Sequence, residues 1–333
     1  MAGPLKIISR AKPVAVAAGK PALRFPLKSL APVAGKPVVG KPLARFPLKF
    51  KKPSLKLVPK GSQPPPKKDE SFASKRYELR RMINEGGMGT IYQAWDTILG
   101  MEVALKMLRP EIAKDADSVA QLKSEAAVAM KLSHENIVRL HNIEIEKDHI
   151  FIVMEYVEGQ TLRAIIQDMG PLALEAVLDI AHACSSALSY AHERGILHRD
   201  IKLDNLMINN DMTLKLLDFG IALKVARGRD QSEFLEGSPG YMSPEQLHGL
   251  PVDVRTDVFS MAVVLCELLT GLRTFPNVDD LHQMYDTAPM GLETVPASVA
   301  EVLRKGLALD VNDRWPTVQQ FYHAFEHALK PLI

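Results

Sequence analysis

Residues 198–220, HRDIKLDNLMINNDMTLKLLDFG, set the tightest constraint on how this chain can fold. Two short runs, Leu206-Met207-Ile208 and Leu214-Lys215-Leu216-Leu217, flank Asn209-Asn210-Asp211, which has turn chemistry. The pattern predicts a small hairpin. A hairpin brings its two ends together, so Asn205 and Asp218 are expected side by side. A carboxylate and an amide oxygen are both hard ligands, and facing one point they suit Mg²⁺ bound together with substrate phosphates. Asp200 adds another acidic group in the same short span.

The preceding segments supply a setting for such a site. LRRMINEGGMGTIYQAW (79–95) reads as strand, glycine-rich turn, strand. A dinucleotide-binding glycine loop would lead into a helix, whereas Thr90-Ile91-Tyr92 continues as strand. EVALKML (102–108) alternates as a strand, so Ala104, Lys106 and Leu108 share one face. A lysine on an inward face needs a countercharge, because burying it alone is costly. The helix expected over 117–133 offers one: Glu125 lies on or beside the apolar stripe of Val119, Leu122, Ala126 and Ala129. IFIVMEYVEG (150–159) is an apolar strand running into a glycine-ended connector. Residues 172–195 read as a long helix closed by Gly195, which delivers the chain to the 198–220 stretch.

Taken in order, the glycine hairpin, VALK, HRDIKLDN, LDFG and Ser243-Pro244-Glu245 resemble the eukaryotic-type protein kinases, and the GGMG wording resembles their bacterial members. The resemblance covers about residues 77–329. It implies an α+β, bilobal protein-kinase-like fold, with a small β-rich N-lobe and a large helical C-lobe. It implies an ATP-dependent protein serine/threonine kinase acting on protein substrates and on itself, with ATP and Mg²⁺ (or Mn²⁺) as its cofactors. Asp200 would orient the acceptor hydroxyl and take its proton. Lys202, the serine/threonine form of the loop, would neutralise the moving phosphoryl group. Lys106, fixed by Glu125, would hold the non-transferred phosphates, and Asn205 and Asp218 the metal. Gly86, Gly87 and Gly89 would cover the phosphates; Ile91, Ala104, Met154 and Met207 would surround the base, and the backbone of Glu155 and Val157 would pair with it. Asp257 would cap its helix and hold the catalytic loop, and Arg314 would pair with Glu245. Arg199 would await an anion from the segment after Gly220, where Ser232 is the only hydroxyl before Gly237.

Four residues depart from the family pattern, Ser243 standing where Ala-Pro-Glu is usual. Asn84 replaces the first loop glycine, where its tolerance of left-handed backbone angles would preserve the turn. Leu203 replaces a proline, and Ala262 a glycine. With Lys106, Asp200, Asn205 and Asp218 all present, an active enzyme is favoured over a pseudokinase scaffold. His323-Ala324-Phe325-Glu326-His327 matches an inverted zincin pattern, but helical spacing sends both histidines and Glu326 away from the apolar face, so a solvated surface is expected.

Charge divides the chain. Residues 1–68 hold 16 Lys and Arg and no acid, while the remainder carries 25 basic against 39 acidic residues, a net of −14. Residues 1–70 also hold 13 of the 23 prolines, which denies helix and central strand alike. A disordered basic arm and linker are expected over 1–70, ahead of the kinase domain at 77–329. Such an arm should bind polyanions, nucleic acid or acidic lipid, weakly and without sequence preference, and on one alternative that binding is the main role with the kinase as regulator. Cys184 and Cys266 sit in apolar helical patterns and read as core residues in a reducing, cytoplasmic setting. No apolar run is long enough for a transmembrane segment.

Overall fold

The computed structural model describes residues 76–86, 89–110, 114–146, 149–219, 239–276, 285 and 288–333. The expected arm and linker, Gly87, and the segment carrying Ser232 lie outside the described residues.

The first half of the body is one sheet. Strands β1 (Tyr77–Gly86), β2 (Gly89–Asp96), β3 (Met101–Leu108), β4 (Leu140–Glu146) and β5 (His149–Glu155) pair antiparallel in the order β1-β2-β3-β5-β4. Helix α1 (Ala116–Ala129) covers one face. Strand β3 reads as almost continuously apolar because both its faces are buried. Ala104 and Leu108 pack with Leu122 and Ala126 of α1 and with Ile152 and Met154 of β5. Val103 and Leu105 pack on the other face with Tyr77, Ala94 and Val153.

The second half is helical: α2 (Leu162–Met169), α3 (Leu174–His192), α4 (Pro244–Leu247), α5 (Val254–Thr270), α6 (Ala297–Gly306) and α7 (Val318–Leu329). A three-stranded sheet, β6 (Gly159–Thr161), β7 (Leu206–Asn209) and β8 (Leu214–Leu216), lies among them. Helix α5 is buried at every position from Thr256 to Leu268, which accounts for its apolar composition on all sides. Asp253 caps it, accepting from Arg255 N–H, and Gly271 ends it in the left-handed conformation. The expectation that Asp257 caps this helix is therefore corrected: it stands one turn further in, and its carboxylate is used elsewhere. Ala262, in place of the family's glycine, meets a helix of compensating smallness, since a Cβ added at Gly306 of α6 would come within 2.9 Å of the Ala262 Cβ. Cys184 and Cys266 are buried and unbridged. No helix among the described residues is long and apolar enough to cross a membrane.

The two halves meet where β5 runs into β6. A second seam ties them together: Val138 N–H donates to the Leu216 carbonyl at 2.9 Å, and Leu216 N–H to that of Asn136 at 2.8 Å. Lys215 of β8 also pairs with Glu155 of β5 at 2.7 Å.

Candidate active site

The β7–β8 hairpin forms as expected. Asn209 Oδ1 accepts from Asp211 N–H and Thr213 N–H, which closes the turn through its own side chain. Leu206 pairs with Leu216, and Leu217 N–H donates to the Asn205 carbonyl at 2.8 Å. Asn205 is thereby set opposite Leu217, next to Asp218.

Asp257 of α5 is the anchor of the loop before the hairpin. Its carboxylate accepts from the backbone N–H of His198 at 2.9 Å and of Arg199 at 2.8 Å, and lies 2.7 Å from His192 Nε2. Burial works to raise this carboxyl, but the His192 contact, with the nearby His198 ring and the Arg199 backbone N–H, outweighs it and holds it below the ordinary aspartate range. Burial pushes the His198 imidazole down, toward the neutral form. The neutral ring suits its position, with Nδ1 accepting from Asp200 N–H while Nε2 faces the Leu217 carbonyl at 2.9 Å. Arg199 is held at φ 67°, a left-handed conformation costly for a residue with a Cβ and sustained by these surrounding bonds.

Asp200 follows, and its Oδ2 accepts from Lys202 Nζ at 2.8 Å and from Asn205 Nδ2 at 2.7 Å. Asn205 Nδ2 also donates to the Asp200 carbonyl, so the amide oxygen is the atom left for a cation. Asp218, also left-handed at φ 51°, receives Lys106 Nζ at 2.7 Å. Burial works to raise the Asp218 carboxyl, yet the Lys106 ammonium keeps it low and ionised. Lys106 Nζ thus reaches across to Asp218, a partner the sequence reading had not assigned to it beside Glu125.

These groups open on one cavity of about 920 Å³, lined by Gly86, Gly89, Ile91, Lys106, Met154, Asp200, Lys202, Asn205, Met207 and Asp218. Ala104 is absent from that lining; it packs behind, paired with Met154 across the β3–β5 ladder. Glu125 and the side chains of Glu155 and Val157 are absent from it too. Among the described residues neither Val157 N–H nor its carbonyl enters a backbone hydrogen bond, while Glu155 N–H is taken by Arg139. Gly89 has φ 149°, and a Cβ there would lie 1.9 Å from the Met107 carbonyl oxygen, so only glycine fits. Asn84 needs no such freedom. It lies within β1 opposite Ile91, beside a bulge, which is how the hairpin tolerates it.

The donor set fits a hard divalent cation. Asp218 is an ionised carboxylate already neutralised by a cation, and Asn205 has its amide nitrogen tied back and its oxygen spare. The zincin-like motif on α7 offers nothing comparable. His323 is 62% exposed, and Glu326 is engaged by Tyr322 and Lys330.

Sequence reasoning missed Arg163 of α2. Its guanidinium lies 3.4 Å from both Asp204 and Glu267 and donates to the Tyr241 hydroxyl, at the side of the cavity beyond Asp200. Its partners lie 41, 78 and 104 residues further along the chain, so no local spacing signals the cluster. The Thr161 cap that starts α2 is the one trace in the sequence.

The chain matches the protein kinase domain family over residues 77–326. It is 37% identical over 254 residues to the serine/threonine-protein kinase PrkC of Bacillus subtilis, covering 74% of this chain and 39% of that protein. With the serine/threonine-protein kinase PknB of Mycobacterium tuberculosis it shares 34% identity over 264 residues, 75% of this chain and 42% of the relative. It thus spans about two-fifths of the length of these two relatives. The crystal structure of the Mycobacterium tuberculosis PknI kinase domain superposes with a TM-score of 0.64 at 28% identity, covering 76% of this chain and 96% of that one.

Proposed function

This chain belongs to the protein kinase family, and we propose that it transfers the γ-phosphate of ATP to serine or threonine hydroxyls of protein substrates, itself included. The observation that carries this reading is the convergence of Lys106, Asp200, Lys202, Asn205 and Asp218 on one cavity. Phosphoryl transfer asks for in-line positioning and neutralisation of phosphate charge, and little covalent chemistry from the protein. Ile91, Met154 and Met207 enclose the base, and the backbone groups of Val157 meet its polar edge. Gly86 and Gly89 let backbone N–H groups approach the phosphates. Lys106 leaves Asp218 to hold the non-transferred phosphates. Asn205 and Asp218 would hold Mg²⁺, which would supply neutralising charge on the phosphates. Asp200 orients the acceptor hydroxyl and receives its proton, and Lys202 steadies the phosphoryl group in transit.

Two outcomes test this arrangement. In Asp218→Ala, calorimetric titration should show Mg–nucleotide affinity falling by at least about 10–100-fold, the loss that outer-shell partners of a metal ligand already cause. Unchanged affinity would remove Asp218 from the metal site. The second concerns Arg199, whose Nε is buried without a hydrogen-bond partner among the described residues. A phosphate on Ser232 would satisfy it with a charge-assisted bond. Mass spectrometry after incubation with ATP should find Ser232 modified, and Ser232→Ala should be less active. An unmodified serine together with a fully active variant would show that no such switch operates.

The basic residues 1–68 would add a weak, salt-sensitive attraction to polyanions. A cytoplasmic setting accords with the unbridged cysteines.

A further inference from the structure

The glycine hairpin carries one polar side chain that the transfer chemistry does not use. Asn84 stands on β1 where the family's usual residue is a glycine, which has no side chain. The pairing of β1 with β2 runs from Met82 opposite Tyr92 directly to Asn84 opposite Ile91, so Ile83 is an extra residue in the ladder. In a regular strand Ile83 and Asn84 would face opposite sides of the sheet. At the bulge the two together oppose the single residue Ile91. Residues directly opposite in an antiparallel pair share one face, and Ile91 lines the cavity. Ile83 and Asn84 line it as well. Asn84 is exposed there, and among the described residues its amide enters no hydrogen bond.

We propose that Asn84 is a specificity-determining residue for the sugar of the nucleotide, its amide pairing with a ribose hydroxyl. Position along the cavity selects the ribose. Ile91, Met154 and Met207 enclose the base, whereas Gly86, Lys106 and Asp218 serve the phosphates and their metal. Asn84 is opposite Ile91 and two residues before Gly86, roughly 6–7 Å from it along the strand. Its side chain therefore lies between the base end and the phosphate end, where the sugar joins the two. Chemistry selects a hydroxyl. A carboxamide is uncharged and offers both N–H donors and a carbonyl acceptor, so it answers a group that itself donates and accepts. A phosphate oxygen would use only the donors, and it already has the Lys106 ammonium and the backbone N–H groups of the glycine turn.

This inference rests on the protein-kinase reading, and its test separates the two. Calorimetric titration and initial-rate transfer are measured with the Mg²⁺ complexes of ATP, 2′-deoxyATP and 3′-deoxyATP. The proteins are wild type and Asn84→Leu, which keeps the branched shape and removes the polar atoms. Wild type should bind ATP roughly 3–10-fold more tightly than one of the two deoxynucleotides, the worth of one neutral hydrogen bond. Asn84→Leu should lose that preference. Its affinity and KM for ATP should worsen to those for the deoxynucleotide, which should itself bind as it does to wild type, with kcat little changed. Asn84→Gly, the family's own residue, provides a second variant should the Leu form fail to fold or crowd the cavity. Three nucleotides weakened alike, as a phosphate contact or a merely structural role in the hairpin would give, would overturn the assignment. So would equal affinity of wild type for all three, or a preference unchanged in the folded variants. Nucleotide binding without transfer to any protein would leave the calorimetric comparison intact and overturn the kinase reading instead.

Discussion

Asp200→Asn protein should fold, melt and bind nucleotide like the wild type, while phosphoryl transfer falls by roughly two to four orders of magnitude, the range for a positioned acid–base group. The substitution keeps the shape of the side chain and one oxygen acceptor. Lys202 and Asn205, now 2.8 and 2.7 Å from Asp200 Oδ2, can each retain a partner. What disappears is the negative charge that orients the acceptor hydroxyl and takes its proton. Single-turnover transfer and nucleotide titration, measured on the same preparation, separate chemistry from binding. Near-normal turnover would exclude Asp200 from that role.

Arg314→Ala should cost about 3–5 kcal/mol of stability, because it strips one partner from a buried ion pair. Arg314 makes a two-pronged contact with Glu245, both bonds at 2.8 Å, with side chains 0% and 9% exposed. The same guanidinium serves the carbonyls of Ala308, Leu309 and Arg255. After truncation, Glu245 would keep only the Thr256 hydroxyl at 2.7 Å. For a body of this size the melting temperature should drop by roughly 6–20 °C. Burial works to raise the Glu245 carboxyl, but the bonds from Arg314 and Thr256 hold it below the ordinary glutamate range. The pair's stabilisation is therefore present above that range and lost as pH falls through the lowered folded value. Wild type should lose its advantage over Arg314→Ala on acidification, and a melting difference independent of pH would argue against an ionic origin.

Legibility in the sequence tracked the range over which each feature is encoded. The β7–β8 hairpin was legible because its turn residues and flanking apolar runs are adjacent, and helix α5 because its apolar run is continuous. Strand β3 was legible as a strand, and the burial of Lys106 with it, although its residues are apolar almost continuously and buried on both faces rather than alternating. The Lys106–Asp218 bond was not, because its two residues lie 112 positions apart in the chain. Asn84 misled for a related reason: its tolerance of a left-handed backbone is real, but the bulge in β1 places it in extended pairing, where that tolerance is idle. The resemblance made Asp257 a cap as well as an anchor, yet Asp253, one turn earlier, performs the capping and leaves Asp257 to hold the catalytic loop. Arg163 had no local signature, since its neighbours Asp204, Tyr241 and Glu267 come from three other segments.

The central claim, ATP-dependent transfer to a hydroxyl at the Asp200 cavity, is tested most directly by incubating the purified chain with γ-labelled ATP, Mg²⁺ and a generic protein substrate. Label should appear on serine or threonine of the substrate and of the chain itself with wild-type protein, and be lost to within a few per cent with Asp200→Asn. Label transferred equally by the two proteins, or by neither, would contradict the account.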